Sequence, residues 1–150
     1  MNKLVATVDE IEERGIVTYI RLNSSNTTIT IIKSKTPKWI GVGDRVHCKF
    51  QETSVSVSKD CPGKVSIENR LPGRLKGVRE NNSLCELTFE SDIGNIISLI
   101  TSRAYNSLEL SKGCEATMLL RGVDIKVEPI LLPIDKDKYK NMTSRIKDAH

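Results

Sequence analysis

The stretch Ile16-Val17-Thr18-Tyr19-Ile20-Arg21-Leu22 alternates apolar with polar side chains, and Leu84-Cys85-Glu86-Leu87-Thr88-Phe89-Glu90 repeats this pattern in the second half of the chain. Alternation with a period of two is typical of a β-strand that buries one face. A further alternating run follows each stretch, Ile29 to Ser34 and Ile97 to Ser102. The two copies lie about 70 residues apart, and such internal repetition constrains the architecture before any motif is considered.

The segments around the repeated stretches extend the pattern in both directions. First strands are expected at residues 4–8 and 74–78, with charged turns at 9–15 and 79–83. The core is expected to consist of Val, Ile and Leu, because aromatic residues make up only 4% of the chain. These observations predict a mostly β protein.

The length of 150 residues and the repeat together favour two small domains. We assign the first domain to residues 1–60 and the second to residues 65–129, because the run Lys59-Asp60-Cys61-Pro62-Gly63 has the composition of a linker. Residues 130–150 form a polar C-terminal tail. The sequence is compatible with either a short helix or a frayed segment there. Domains this small usually bury enough apolar surface only by packing against each other or against other subunits.

Composition excludes several classes of protein. The net charge of +4 is mild and is weak evidence for nucleic-acid binding. No segment is apolar over the length that a membrane span requires, so we expect a cytoplasmic protein without a membrane partner. The sequence contains no phosphate-binding glycine-rich loop, no G-x-G-x-x-G motif and no helix-turn-helix pattern for direct DNA binding. We expect a protein that is not an enzyme.

The cysteines do not have the spacing of a metal site. Cys48, Cys61, Cys85 and Cys114 stand alone, and His47 and His150 are the only histidines. Zinc sites normally combine closely spaced Cys and His pairs. Reduced thiols within or beside strands are therefore expected, and no metal site is assigned.

The most distinctive segment is Val65-Ser66-Ile67-Glu68-Asn69-Arg70-Leu71-Pro72-Gly73, directly before the second copy. A serine hydroxyl followed by consecutive backbone N–H groups can form a concave site for a tetrahedral oxyanion. The alternative is an ordinary connector with a type I or type II turn at Pro72-Gly73.

This run, Ser-x-x-Asn-x-Leu-Pro-Gly, together with Leu119-Leu120-Arg121-Gly122-Val123-Asp124-Ile125-Lys126-Val127, resembles the molybdopterin-binding-protein-like (Mop) domain of the transport-associated OB-fold (TOBE) group. The resemblance covers residues 65–128, whereas over residues 3–58 it rests on the repeat. It implies two tandem OB-type five-stranded β-barrels. It also implies a molybdate or tungstate ligand held at interfaces between domains, and a homo-oligomer, either dimer or trimer.

The resemblance implies ligand contacts for a set of residues in the second copy. The serine of the family motif falls on Ser66 and its asparagine on Asn69, whereas its arginine position is occupied by Glu68. A carboxylate repels an oxyanion, so Glu68 is expected to point outward if the site is functional. The threonine of the family falls on Thr101, with Ser102 beside it, and its late lysine falls on Arg121.

The first copy contains fewer of the residues that the resemblance implies as ligand contacts. Lys33 and Ser34 occupy the matching positions, and no Ser-x-x-Asn precedes Leu4. Each assignment has a structural alternative: Lys33 and Ser34 as outward-facing strand residues, Arg121 as a surface arginine, and Thr101 with Ser102 as the cap of a short helix.

The sequence therefore predicts a cytoplasmic protein that binds molybdate or tungstate for storage, homeostasis or sensing. One alternative is a degenerate Mop module that acts only in oligomerisation or in regulation of a partner. A second alternative is an OB-type nucleic-acid binder. Such a binder needs aromatic stacking platforms in a basic groove, and the six aromatic residues of this chain do not cluster in the sequence.

Overall fold

The computed structural model describes residues 1–60 and 63–131. These residues form two five-stranded antiparallel sheets with a few short helical turns. The strands are β1 (Asn2–Arg14), β2 (Val17–Ser24), β3 (Thr27–Lys33), β4 (Arg45–Phe50), β5 (Ser56–Ser58), β6 (Asn69–Asn81), β7 (Leu84–Ser91), β8 (Gly94–Thr101), β9 (Glu115–Leu120) and β10 (Lys126–Pro129). The mostly β fold is confirmed, and the expected helix in the tail lies outside the described residues.

The two sheets exchange their last strands. The strand order is β10-β4-β1-β2-β3 in the first sheet and β5-β9-β6-β7-β8 in the second. Strand β5, from the first half of the chain, pairs with β9, while β10, from the second half, pairs with β4. We call each sheet with its connecting turns a module. The division at residues 1–60 and 65–129 follows the repeat and stays a prediction, since each module takes one strand from beyond it.

The charged segment at residues 9–14 is strand and not the turn that the sequence predicted. Strand β1 runs to Arg14, with a bulge between Val8 and Glu10, and turns only at Gly15. Carboxylates of Glu10 and Glu12 lie 3.1 Å and 3.3 Å from the guanidinium of Arg21 on β2. These cross-strand ion pairs favour a charged strand over a turn. Strand β6 likewise extends through 79–81, and the expected turn is confined to residues 82–83.

The repeat has a different register from the one predicted. Strands β1, β2 and β3 begin 67 residues before β6, β7 and β8, whereas β4 and β5 begin 70 residues before β9 and β10. The predicted first strands at residues 4–8 and 74–78 are 70 residues apart, so their alignment was wrong by three residues. The extra three residues of the second copy lie near the helix α1 (Ser102–Ser107), which follows β8 and has no counterpart after β3.

The core is aliphatic, as the composition indicated. Buried Val, Ile and Leu side chains from both sheets pack in one cluster, with Phe50 and Phe89 as its buried aromatics among the described residues. Cys48 and Cys85 lie buried in strands, while Cys114 is partly exposed, and all three are free thiols. No helix within the described ranges has the length and apolar character to cross a membrane.

Candidate functional site

Asn69 connects the two modules. It begins β6 and is 2% exposed. Its carboxamide oxygen accepts a hydrogen bond from the backbone N–H of Thr30 at 2.7 Å, and its nitrogen donates to the carbonyls of Thr30 at 2.9 Å and Leu120 at 3.0 Å. Both side-chain hydrogens are used on peptide groups, so Asn69 has no N–H left for an anion in this arrangement.

Glu68 and Gly122 lie at the same place. The backbone N–H of Gly122, at the start of a 3₁₀ turn (Gly122–Asp124), donates to a carboxylate oxygen of Glu68 at 2.8 Å. Glu68 is exposed, yet one of its carboxylate oxygens is held by this amide, and its outward position in a functional site stays a prediction. Gly122 also lies close to β3, because an added Cβ would be 2.7 Å from the Thr30 carbonyl oxygen. We call Glu68, Asn69, Gly122 and the facing strand β3 the Asn69 junction.

Arg121 precedes this turn and is paired within the chain. Its Nε lies 3.0 Å from Asp124 Oδ2 and its Nη2 lies 3.4 Å from Asp124 Oδ1. The side chain remains 63% exposed, so the pair is a surface ion pair of small energetic weight. Arg121 can therefore exchange Asp124 for another anion at low cost.

Lys33 ends β3, the strand that forms one side of the Asn69 junction. Burial, and to a smaller extent the positive charge of Lys126, lower the pKa of the Lys33 ammonium below its usual range. Within the described residues, no carboxylate lies within ion-pair distance of Lys33. Ser34 follows it and is exposed. The strand exchange thus places a lysine of the first copy near residues of the second copy, which the sequence did not indicate.

Thr101 and Ser102 do not join this group. Thr101 on β8 pairs with Leu84 on β7, and Leu84 pairs with Asn81 at the end of β6. Thr101 therefore lies near the end of β6 that is opposite to Asn69. Its hydroxyl accepts from the N–H of Ala104 at 3.0 Å and caps α1, as the structural alternative predicted. The Ser102 hydroxyl lies 3.6 Å from the Cys85 sulfur.

Ser66 precedes Glu68 and is exposed to solvent. The expected set of Ser66, Asn69, Thr101 and Arg121 is consequently not gathered around one point within a single chain. The ligand roles of these residues, and of Lys33 and Ser34, stay predictions.

A second junction repeats the first with Asn2 in place of Asn69. The Asn2 carboxamide accepts from the Ile97 N–H and donates to the Ile97 carbonyl, both at 2.8 Å. Here the Met1 ammonium pairs with the carboxylate of Glu52, and this hydrogen bond lowers the pKa of that carboxyl. Asn2 was not predicted, because the first strands of the two copies were aligned at an offset of 70 and not 67. At an offset of 67, Asn2-Lys3-Leu4 matches Asn69-Arg70-Leu71.

The described part of the chain contains no group of three or more His, Cys, Asp or Glu side chains placed to hold a metal ion. The structure brings together two hydrogen-bond donors, the Gly122 N–H and the Arg121 guanidinium, and each is paired with a carboxylate of the chain itself. A tetrahedral anion could take the place of these carboxylates.

Comparisons with known proteins give a domain match for part of the chain and a similar fold for most of it. Residues 65–127 match the model of the TOBE domain family. The structure is similar to a crystal structure of the cytoplasmic molybdate-binding protein ModG in a form with molybdate bound. That match has a TM-score of 0.78 and 20% sequence identity, and it covers 86% of this chain and 96% of the other. A comparison with curated protein sequences gives no match.

Proposed function

We propose that the protein is a Mop/TOBE-type protein that binds molybdate or tungstate, because residues 65–127 match the model of the TOBE domain. It would act in the cytoplasm as a store, buffer or sensor of the oxyanion. The observation that carries the proposal is the likeness in fold, over 86% of the chain, to a protein whose structure holds molybdate.

We place the oxyanion at the Asn69 junction. The Gly122 N–H, the guanidinium of Arg121 and the ammonium of Lys33 supply donors around this position, with the Ser66 hydroxyl on the segment that leads into it. The Glu68 carboxylate now holds the amide that a bound oxyanion would use. Binding therefore requires Glu68 to turn away, which reduces the affinity by the free energy of that rearrangement.

Selectivity for molybdate or tungstate over sulfate would follow from size. All three are tetrahedral dianions, so charge alone does not separate them, and donors set further apart favour the larger ion. A site completed by a second copy of the chain is consistent with the separation of Thr101 and Ser102 from the Asn69 junction. We therefore propose a rotationally symmetric dimer or trimer in which another copy contributes part of each site.

A second candidate function is a Mop module that no longer binds an oxyanion and serves only in assembly or in regulation of a partner. Two contacts favour it: Glu68 holds the Gly122 amide, and Asp124 holds Arg121. In this case the carboxylates permanently occupy the positions of ligand oxygens.

Native mass spectrometry with and without molybdate tests the two candidates, because it reports stoichiometry and assembly together. We expect a dimer or trimer that gains the mass of whole oxyanions with molybdate and not with sulfate. Arg121→Ala should weaken binding about ten- to hundred-fold, since it removes a charged hydrogen bond worth about 1.5–3 kcal/mol. An oligomer that takes up no oxyanion would favour the degenerate module, and a monomer would contradict the interface site.

A further inference from the structure

A row of three lysines crosses the outer face of the first sheet. Lys3 on β1 is directly opposite Lys49 on β4, and Lys49 is directly opposite Lys126 on β10. Directly opposed residues of antiparallel strands point to the same face, with neighbouring strands about 4.8 Å apart. The alternate residues of these strands, such as Val46 and Cys48, are buried, so the lysines point to the outside.

Further basic residues lie along β4 on this face. Arg45 and His47 alternate with the buried residues and share the face of Lys49, so the outward side of β4 carries the cations Arg45 and Lys49 with His47 between them. Among the described residues of β4, β10 and the facing part of β1, Glu128 is the one carboxylate on this face. Its oxygen lies 2.8 Å from the Lys49 ammonium.

The second sheet, built on the same pattern, keeps a basic residue, Arg70, at the position of Lys3, but shows that the fold does not require the charges of β4 and β10. Where β4 presents Arg45, His47 and Lys49, β9 presents Glu115, Thr117 and Leu119. The equivalent of Lys126 on β5 is Ser56. Like charges placed directly opposite one another destabilise a sheet, so a basic row in only one copy indicates a use other than folding.

We propose that this face, formed by Lys3, Arg45, Lys49 and Lys126, is a docking surface for an acidic segment of a partner protein. The Lys49–Glu128 pair shows that Lys49 can accommodate a carboxylate on this face. Among β1, β4 and β10, the only aromatic residue is Phe50, which is buried. The face therefore has no stacking platform of the kind that single-stranded nucleic acid uses.

The C-terminal tail of the chain does not have the charge of this partner. Residues 132–150 contain three acidic residues, Asp135, Asp137 and Asp148, and five basic residues, Lys136, Lys138, Lys140, Arg145 and Lys147. This net positive segment would be repelled by the lysine row. The complementary occupant is a carboxylate-rich segment of another protein.

Fluorescence anisotropy with a labelled decaglutamate peptide tests the docking surface, using the full chain without molybdate. The variant Arg45→Glu/Lys49→Leu gives β4 the residues that β9 carries. We expect wild type to bind the peptide at low salt and the variant to lose about ten-fold or more in affinity, equivalent to about 1.4 kcal/mol. The peptide affinity of wild type should also fall as salt is raised, because exposed charges are screened.

The matched control is Arg103→Glu/Lys112→Leu, which changes the net charge equally at exposed positions of the second half. Its peptide affinity should stay close to that of wild type. Circular dichroism melting of both variants confirms that they are folded. An absence of peptide binding to wild type, or an equal loss in the control, would overturn the proposal. Tighter binding of a decathymidylate that depends on Arg45 and Lys49 would overturn it in favour of nucleic acid.

Discussion

Asn69 pairs with the peptide group of Thr30 as a neighbouring strand would, accepting from its N–H at 2.7 Å and donating to its carbonyl at 2.9 Å. Thr30 lies in β3, at the edge of the first sheet, and Asn69 begins β6 in the second. One side chain therefore supplies part of the hydrogen bonding that an edge strand lacks. This contact and its counterpart at Asn2 fix how the modules meet.

Replacing Asn69 with Ala should destabilise the protein by about 1–3 kcal/mol, because the half-buried peptide group of Thr30 and the buried carbonyl of Leu120 lose their partner. Urea unfolding followed by circular dichroism measures the change. Asn2→Ala is the comparison, and it should cost less because the Asn2 side chain hydrogen-bonds to Ile97 alone among the described residues. Equal costs, or no cost at Asn69, would contradict the assigned role.

Gly122 should not tolerate a methyl group. An added Cβ would lie 2.7 Å from the Thr30 carbonyl oxygen and 3.0 Å from Ile32 Cγ1, so the 3₁₀ turn must move away from β3. We expect Gly122→Ala to cost about 1–3 kcal/mol of stability. The control variant is Gly41→Ala, because a Cβ added at Gly41 would have one neighbour within 4 Å, Asp44 Oδ2 at 3.7 Å. A Gly122→Ala protein as stable as the control would show that the close contact is absent in solution.

His47 should make stability dependent on pH. Burial and the charge of Lys3 lower the pKa of His47 below the ordinary 6.5, although the charge of Glu128 opposes this effect. The Nδ1 atom of His47 is buried and has no hydrogen-bond partner among the described residues. A lowered pKa means that the unfolded chain binds the proton first as pH falls. Stability should therefore decrease as pH drops through 6.5 towards the folded-state pKa.

The variant His47→Thr, which copies the residue of β9, should remove this dependence. Thermal melts at about pH 7.5 and pH 5.5 make the comparison. The carboxyls of Glu12 and Glu52 do not interfere, because their pKa values are lowered from 4.5 and they act in more acidic solution. A wild-type melting temperature that is the same at both pH values would contradict the assignment.

The strands could be predicted because their signal is local. Apolar and polar residues alternate along most of Ile16 to Leu22 and Leu84 to Glu90, and the structure buries alternate residues in both. The turn at residues 9–15 was misjudged because charge was taken as a sign of a loop. The cross-strand pairs with Arg21 that keep this segment in the sheet depend on register, which single-strand patterns do not contain.

The site could be predicted less well, since it depends on which strands exchange. Nothing in the short segments Ser56–Ser58 and Lys126–Pro129 specifies that each pairs across the repeat. That exchange brings Lys33 towards the Asn69 junction and leaves Thr101 apart. The contact of Glu68 with the Gly122 amide is likewise tertiary, between residues 54 positions apart.

Glu68 separates the two candidate functions. In Glu68→Gln the side chain keeps its size and its hydrogen-bond acceptor but loses the charge that opposes an oxyanion. If the junction is a functional site, molybdate affinity should rise by about ten-fold. The matched control Glu86→Gln removes a carboxylate of β7 that pairs with Arg79 and should leave the affinity unchanged. An unchanged affinity in Glu68→Gln would place the oxyanion elsewhere, and a specific decrease would contradict the opposing role of the carboxylate.

Isothermal titration calorimetry of the wild-type protein with molybdate, with tungstate alongside and sulfate as the control ion, tests oxyanion binding most directly. The proposed function predicts saturable heat with at least one of the two metal oxyanions, at a fixed number of sites per chain, and none with sulfate at the same concentration. If neither molybdate nor tungstate produces heat or a thermal shift, the binding proposal is contradicted. The Glu68–Gly122 contact then identifies a degenerate module.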